Sequence, residues 1–248
     1  MADSTPQAVQ TPRKKSFWRR PWVAPMFAVT VVFLAFSAPP YFTGHPRLPL
    51  REGFDWHLPL LMAHIGFGSV ALVTCGFQVW PWFRGKYPVA HRWMGRAYVF
   101  LGVLPSGLVG IAVALTSLMG VPGRLGNVTL ATVWLLMTFR AYKSARRRQF
   151  GDHRRWMIRS FALTTSIVMN RIWSVALIFG LMPWLDSHYG GDMDALILDA
   201  AMAGIWLSWV VNLLIAEWWL ERGKGKARAK RGAAAGRGEE KKEVGAVA

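Results

Sequence analysis

Cysteine is almost missing from this chain: Cys75 is the only one in 248 residues, and it lies inside an apolar run. An intramolecular disulfide, a Cys-ligated zinc and an iron–sulfur cluster are therefore excluded. An apolar setting also disfavours the nucleophilic thiolate, which sets Cys75 aside as a catalytic residue. Acidic side chains are scarce too, 13 against 30 Lys and Arg, and charged residues make up only 17% of the chain. A soluble domain carries roughly a quarter. With 53% hydrophobic residues, the shortfall points to lipid as the solvent. No glycine-rich phosphate loop, nucleophile elbow or His-Glu-x-x-His pair occurs.

What is present in excess is positive charge, +17 net. Nucleic-acid binding would need those charges gathered on a folded basic face. Here they sit in short segments beside apolar runs, the ordinary flank of a membrane span. Nucleic acid is not expected as a partner.

A hydrocarbon core about 30 Å thick takes about twenty apolar residues in a helix. Six segments qualify: 22–39, 58–80, 93–119, 125–141, 156–182 and 195–220. The expected architecture is all-α, a polytopic bundle of about six transmembrane helices over 21–220, with 58–182 as its core. Residues 1–20 and 221–248 read as disordered basic tails, because small and charged residues occur there without an apolar period. The first span resembles a signal peptide, with KKSFWRR before an apolar run ending in AFSA. Pro39 and Pro40 follow at once and disfavour cleavage, so an uncleaved helix is expected.

Orientation follows from the basic residues. Twenty-six lie in 1–20, 81–96, 140–159 and the C-terminal segment, against three (Arg47, Arg51, Arg124) in the alternate loops. Such asymmetry predicts a multi-pass inner-membrane protein with both termini in the cytoplasm and an even number of spans.

The thirtieth basic residue, Arg171, falls within the fifth span. An arginine at mid-membrane costs at least about 2.5 kcal/mol, so it is expected to face protein or water and to have a partner. At 100° per residue, Ser160, Thr164 and Arg171 all lie within about 20° of the direction of His153. The second span carries a stripe of small and polar residues, His64, Gly68, Ala71, Cys75 and Gln78. The third carries His91, Gly95, Tyr98, Gly102 and Pro105. Such stripes either let helices approach closely or leave room for a flat cofactor. His64 and Arg171 approach a similar depth from opposite sides, which allows an outer polar site.

HRWMGR (91–96) and HRRWMIR (153–159) open the third and fifth spans from the same side. His91 and His153 thus share one depth, which is what bis-imidazole haem ligation needs, with Arg92, Arg96, Arg154 and Arg155 available for propionates. The alternative is a pair of interfacial histidines beside headgroup-binding arginines. Zinc lacks a third ligand nearby.

AHIGFGSVALVTCGFQVWPWFR (63–84), HRWMGRAYV (91–99), DHRRWMIRSFALT (152–164) and the Asn170–Arg171 pair together resemble a family of bacterial predicted membrane proteins, domain of unknown function 2306. The resemblance covers residues 58–180. It implies a multi-helix membrane protein and supplies no activity. More distantly, the His-bearing helices look like the core of dihaem b-type cytochromes. Those use two His pairs, whereas the fourth span here has no His to pair with His64.

The function expected is a membrane redox component binding b-type haem or quinone, with an electron-transfer partner. His91 and His153 are the candidate ligands, of haem iron if haem is bound, and His64 and Arg171 shape a second site. The alternatives are a transporter or a protein binding lipid or another anion through Arg171, with anionic headgroups as partners, and a structural or accessory membrane protein.

Overall fold

The computed structural model describes residues 22–43 and 53–246, with side chains described as far as Arg222. The expected N-terminal tail lies outside the described residues, as does the segment 44–52 with Arg47 and Arg51.

The described chain is a bundle of helices without strands. Helix α1 (Val23–Ser37) runs into the short α2 (Pro39–Phe42). The second pass is α3 (His57–Val79), followed by the edge helix α4 (Pro81–Lys86). The third pass is composite: α5 (Pro88–Arg96), a π-helical stretch (Ala97–Val103) and α6 (Leu104–Thr116). Helix α7 (Gly120–Arg146) forms the fourth. The fifth comprises α8 (Phe150–Thr164) and α9 (Ser166–Leu181), ending in a 3-10 turn (Met182–Trp184) and α10 (Leu185–Tyr189). The last, α11, is assigned Met193–Ala246, so the stretch read from sequence as a C-terminal tail is carried on as helix backbone.

Five of these passes are long and apolar enough to cross a membrane: Val23–Phe42, His57–Val79, Pro88–Thr116, Ser166–Tyr189 and Met193–Arg222. Helix α7 has the length, 27 residues, but Arg124, Asn127 and Arg140 dilute its apolar run. The protein is an all-α membrane bundle of about six helical passes.

The surface confirms lipid as the solvent. Val31, Val32, Phe36, Leu108, Leu115, Phe139, Phe179, Leu214 and Ile215 are all exposed, far more apolar surface than a protein keeps in water. Hydroxyls in the spans turn back on their own helices, as Thr30 does to the Met26 carbonyl (2.9 Å), Thr74 to Val70 (2.6 Å) and Ser208 to Ile205 (2.7 Å). This satisfies donors where no water can.

The core gathers where α3, the third pass, α7 and α8 meet, around Leu72, Cys75, Tyr98, Val103, Trp134 and Leu163. Here the two small-residue stripes close on each other as an antiparallel zipper. A Cβ on Gly102 would lie 2.8 Å from the Ala71 Cα, and one on Gly68 would lie 3.3 Å from the Ser106 hydroxyl. At the basic end, Gln78 lies against Gly95 and donates to the His91 carbonyl (3.1 Å). Between the two readings of the stripes, tight packing is the one adopted, and no gap for a flat group exists at Gly102.

The fifth pass bends between Thr164 and Ser166. Thr164, Thr165 and Ser166 all turn their hydroxyls onto preceding carbonyls, of Ser160, Phe161 and Leu163, at 2.6 to 3.1 Å. Such back-bonding bends helices. Below the bend α8 packs on α7, and beyond it α9 packs on α11. A stripe computed for one straight helix therefore loses its phase at the bend.

Candidate functional site

Tyr98 is fully buried on the π-helical turn, and around it the third, fourth and fifth passes share a hydroxyl network. Its hydroxyl lies 2.5 Å from Ser160 Oγ and 2.7 Å from Thr164 Oγ1. Thr138 Oγ1 lies 2.6 Å from Ser160 Oγ, and Trp134 Nε1 donates to Thr164 Oγ1 at 3.0 Å.

Counting hydrogens fixes the direction of these bonds. The Thr164 hydroxyl donates to the Ser160 carbonyl (2.8 Å), so Thr164 Oγ1 accepts from both Trp134 and Tyr98. Tyr98 then accepts from Ser160, and Ser160 accepts from Thr138. Every hydroxyl hydrogen has one acceptor. Reversing the chain would strand the Thr138 hydrogen, while the Ser160 carbonyl would keep only its helical N–H partner. The network is thus a directed, satisfied clamp across three passes rather than a reversible proton path. Sequence had singled out Tyr98, Ser160 and Thr164 but missed Trp134 and Thr138. The signal for those was the spacing of Trp134, Thr138 and Ala141 on one face of α7.

His91 and His153 each lie seven residues before a member of this clamp, Tyr98 and Ser160. Two turns toward the basic edge, the histidines therefore lie on the same sides of the same two passes. His153 Nδ1 lies 2.9 Å from the Ala141 carbonyl. A carbonyl only accepts, so Nδ1 carries a proton, and in the neutral ring Nε2 is the lone-pair acceptor. His91 Nδ1 is buried and has no hydrogen-bond partner among the described residues. Arg84, Arg92 and His153 lie within electrostatic range of its ring.

His64 is placed elsewhere. Its Nδ1 bonds the Ser106 carbonyl at 2.9 Å, the Ser106 hydroxyl lies 3.2 Å away, and a Cβ on Gly110 would press on the ring at 2.8 Å. It is locked into the packing of α3 against α6.

Arg171 departs from expectation. Its side chain is exposed on the outward side of α9, not turned to the interior with Ser160 and Thr164. The bend at Thr165 accounts for this, because α9 meets α11 with another face. His64 and Arg171 are not brought together, and the outer polar site does not form between them.

The basic edge carries a belt of cation–indole contacts. Arg140 and Arg159 lie over the Trp156 ring at 5.0 and 4.7 Å, Arg154 over Trp219 at 5.7 Å and Arg222 over Trp218 at 4.4 Å. Arg159 also forms a two-pronged bond to Glu217, Nε to Oε1 at 2.5 Å and Nη2 to Oε2 at 2.8 Å, which ties α8 to α11. No group of three or more potential metal-ligating His, Cys, Asp or Glu side chains occurs among the described residues.

Residues 61–220 match the family described as predicted membrane protein, DUF2306. The chain belongs to that family. The match spans all passes from α3 to α11, and so includes His64, His91, His153, Arg171 and the whole Tyr98 clamp. No match exists among the curated proteins or the solved structures. As a DUF2306 membrane protein the chain contacts the lipid bilayer, and membership adds no activity to what its residues say.

Proposed function

We propose that this protein is a membrane redox component of the bacterial inner membrane, with both termini in the cytoplasm. In this reading His91 and His153, at the cytoplasmic edge, hold its redox group. The observation that carries it is the contrast between the two rings, with a fixed acceptor at His153 Nε2 and a buried, unpartnered nitrogen at His91.

Haem b and a quinone are both compatible with the sequence, and the residues fit them unequally. Haem b asks each imidazole to hold its second nitrogen in place while the first binds iron. His153 meets this through Ala141, whereas His91 has no such bond. A quinone headgroup presents two carbonyl acceptors and its quinol two O–H donors, so a site beside the bilayer edge must donate to the first and accept from the second, which imidazoles can do. A quinone supplies two-electron, two-proton chemistry. In the oxidised state His91 would donate to a carbonyl oxygen, and in the reduced state His153 Nε2 would take the hydrogen of a quinol hydroxyl. Arg84 and Arg92 favour negative charge developing there. An electron-transfer partner then belongs at the cytoplasmic face, and the arginine–tryptophan belt suits anionic headgroups.

The test is binding of decylubiquinone to the purified full chain, read by tryptophan fluorescence, together with oxidised and dithionite-reduced spectra. Quinone binding that weakens at least about tenfold, the loss of one good hydrogen bond, in both His91→Ala and His153→Ala is the expected result. Sharp reduced bands lost in the same variants would assign haem instead. Absence of both signals would overturn the redox reading. It would favour the second one, an accessory protein, which the close packing of the small-residue stripes supports. Reporter fusions test the orientation: those near 120 and 188 are expected to read periplasmic, those near 86, 148 and 230 cytoplasmic.

A further inference from the structure

The outward side of α9 holds one charge in an apolar field. Arg171 is flanked there by exposed Ile167, Ile172, Val175 and Phe179. It lies twelve residues beyond Arg159 of the basic edge and thirteen before Trp184 at the other, about 18 and 20 Å along the axis. That is mid-membrane. No hydrogen bond or ion pair engages its side chain among the described residues. The main tertiary neighbour of α9 is α11, and the side that bears Arg171, Ile172, Val175 and Phe179 is exposed.

We propose that this face docks a transmembrane helix of a different protein, one carrying an Asp or Glu near mid-membrane that pairs with Arg171. A guanidinium left against hydrocarbon costs at least about 2.5 kcal/mol, so whatever covers this face must supply an acceptor at that depth. Lipid phosphates lie about half the hydrocarbon thickness away, roughly 15 Å, farther than an extended arginine side chain.

A second copy of this chain does not supply the acceptor. Copies inserted in the same orientation pair about an axis along the membrane normal, so equal residues keep equal depth. Gly204 of α11 faces Ser174 and Asn170 of α9, which fixes the register of the two antiparallel helices. Asp199 then lies about 9 Å along the axis from Arg171, counting 1.5 Å per residue. Glu217 lies at the basic edge, already held by Arg159. The described membrane helices thus offer no carboxylate at the depth of Arg171. The matching charge must come from another chain.

The test uses the full chain in phosphatidylcholine vesicles with a dansyl-labelled single-span polyleucine helix bearing one central Asp, read by transfer from the protein's tryptophans. The Asp helix is expected to associate at least about tenfold more tightly than the same helix with Leu at that position. Arg171→Leu should abolish the difference. Arg171→Glu should move the preference to a helix with a central Lys, which keeps the test valid if one variant folds poorly. Equal association of the Asp and Leu helices, or an Asp preference that survives Arg171→Leu, overturns the proposal. So does self-association of the chain that excludes the probe and is lost in Arg171→Leu.

Discussion

Gly102 and Gly180 both lie in apolar passes, yet a side chain at the first would strike the Ala71 backbone while one at the second would meet nothing within 4 Å. The contrast extends to whole regions. Around Gly102 the backbones touch, Tyr98 is sealed and its hydroxyl network is complete. Along α9, Ile172, Val175 and Phe179 face outward with Arg171 among them. The most apolar 18-residue windows of the two passes differ only weakly in mean hydropathy, 2.1 within Pro88–Thr116 and 1.4 within Ser166–Tyr189. Apolar composition places a helix in lipid, but side-chain size and hydrogen bonding decide whether it is packed or merely immersed.

The sharpest way to break this comparison is to make the same substitution in both regions. Gly102→Val forces a methyl-bearing carbon into the Ala71 backbone and is expected to cost about 3 kcal/mol or more, enough to lower yield and thermal stability in detergent. Gly180→Val should change stability by less than about 0.5 kcal/mol. Equal losses in a thermal-unfolding assay would mean that the two regions do not differ in packing.

Tyrosine gives a second, smaller contrast. Tyr98→Phe removes the acceptor for the Ser160 hydroxyl and one of the two donors to Thr164, at a cost of about 1–3 kcal/mol. Tyr189→Phe loses only an exposed bond to Asp199 at 3.3 Å and should stay within about 0.5 kcal/mol. Denaturant titration of both variants measures the difference, and a neutral Tyr98→Phe would show the clamp to be dispensable.

The Arg159–Glu217 pair sharpens the comparison at the membrane edge. Its side chains are 18% and 42% exposed, so solvent screening leaves the bond only about 1 kcal/mol. Glu217→Gln should therefore destabilise modestly, and the deficit should shrink in high salt. A salt-independent loss of several kcal/mol would mean that the pair is buried in lipid rather than set at the water boundary.

Much of the site was legible before any packing was known. The seven-residue steps from His91 to Tyr98 and from His153 to Ser160 are readable in the sequence, and both pairs fall on the predicted sides of their passes. Trp134 and Thr138 escaped because α7 carries them among ordinary apolar neighbours, without a histidine or charge to draw attention. Arg171 was misplaced for a different reason. The stripe from His153 to Arg171 assumes one straight helix, and three successive hydroxyl residues at 164–166 bend it.

The sequence by itself determined the solvent, the helical class and nearly all the spans. These follow from local rules, because a backbone in lipid must satisfy its own hydrogen bonds and a fixed thickness demands a fixed length. Tertiary structure alone decided which side of each helix faces protein. Lipid tails are as apolar as leucine, so hydropathy exerts little pull toward the interior. The choice falls instead to close contacts such as Gly102 on Ala71, to the pairing of hydroxyls from separate passes, and to a bend that turned Arg171 outward.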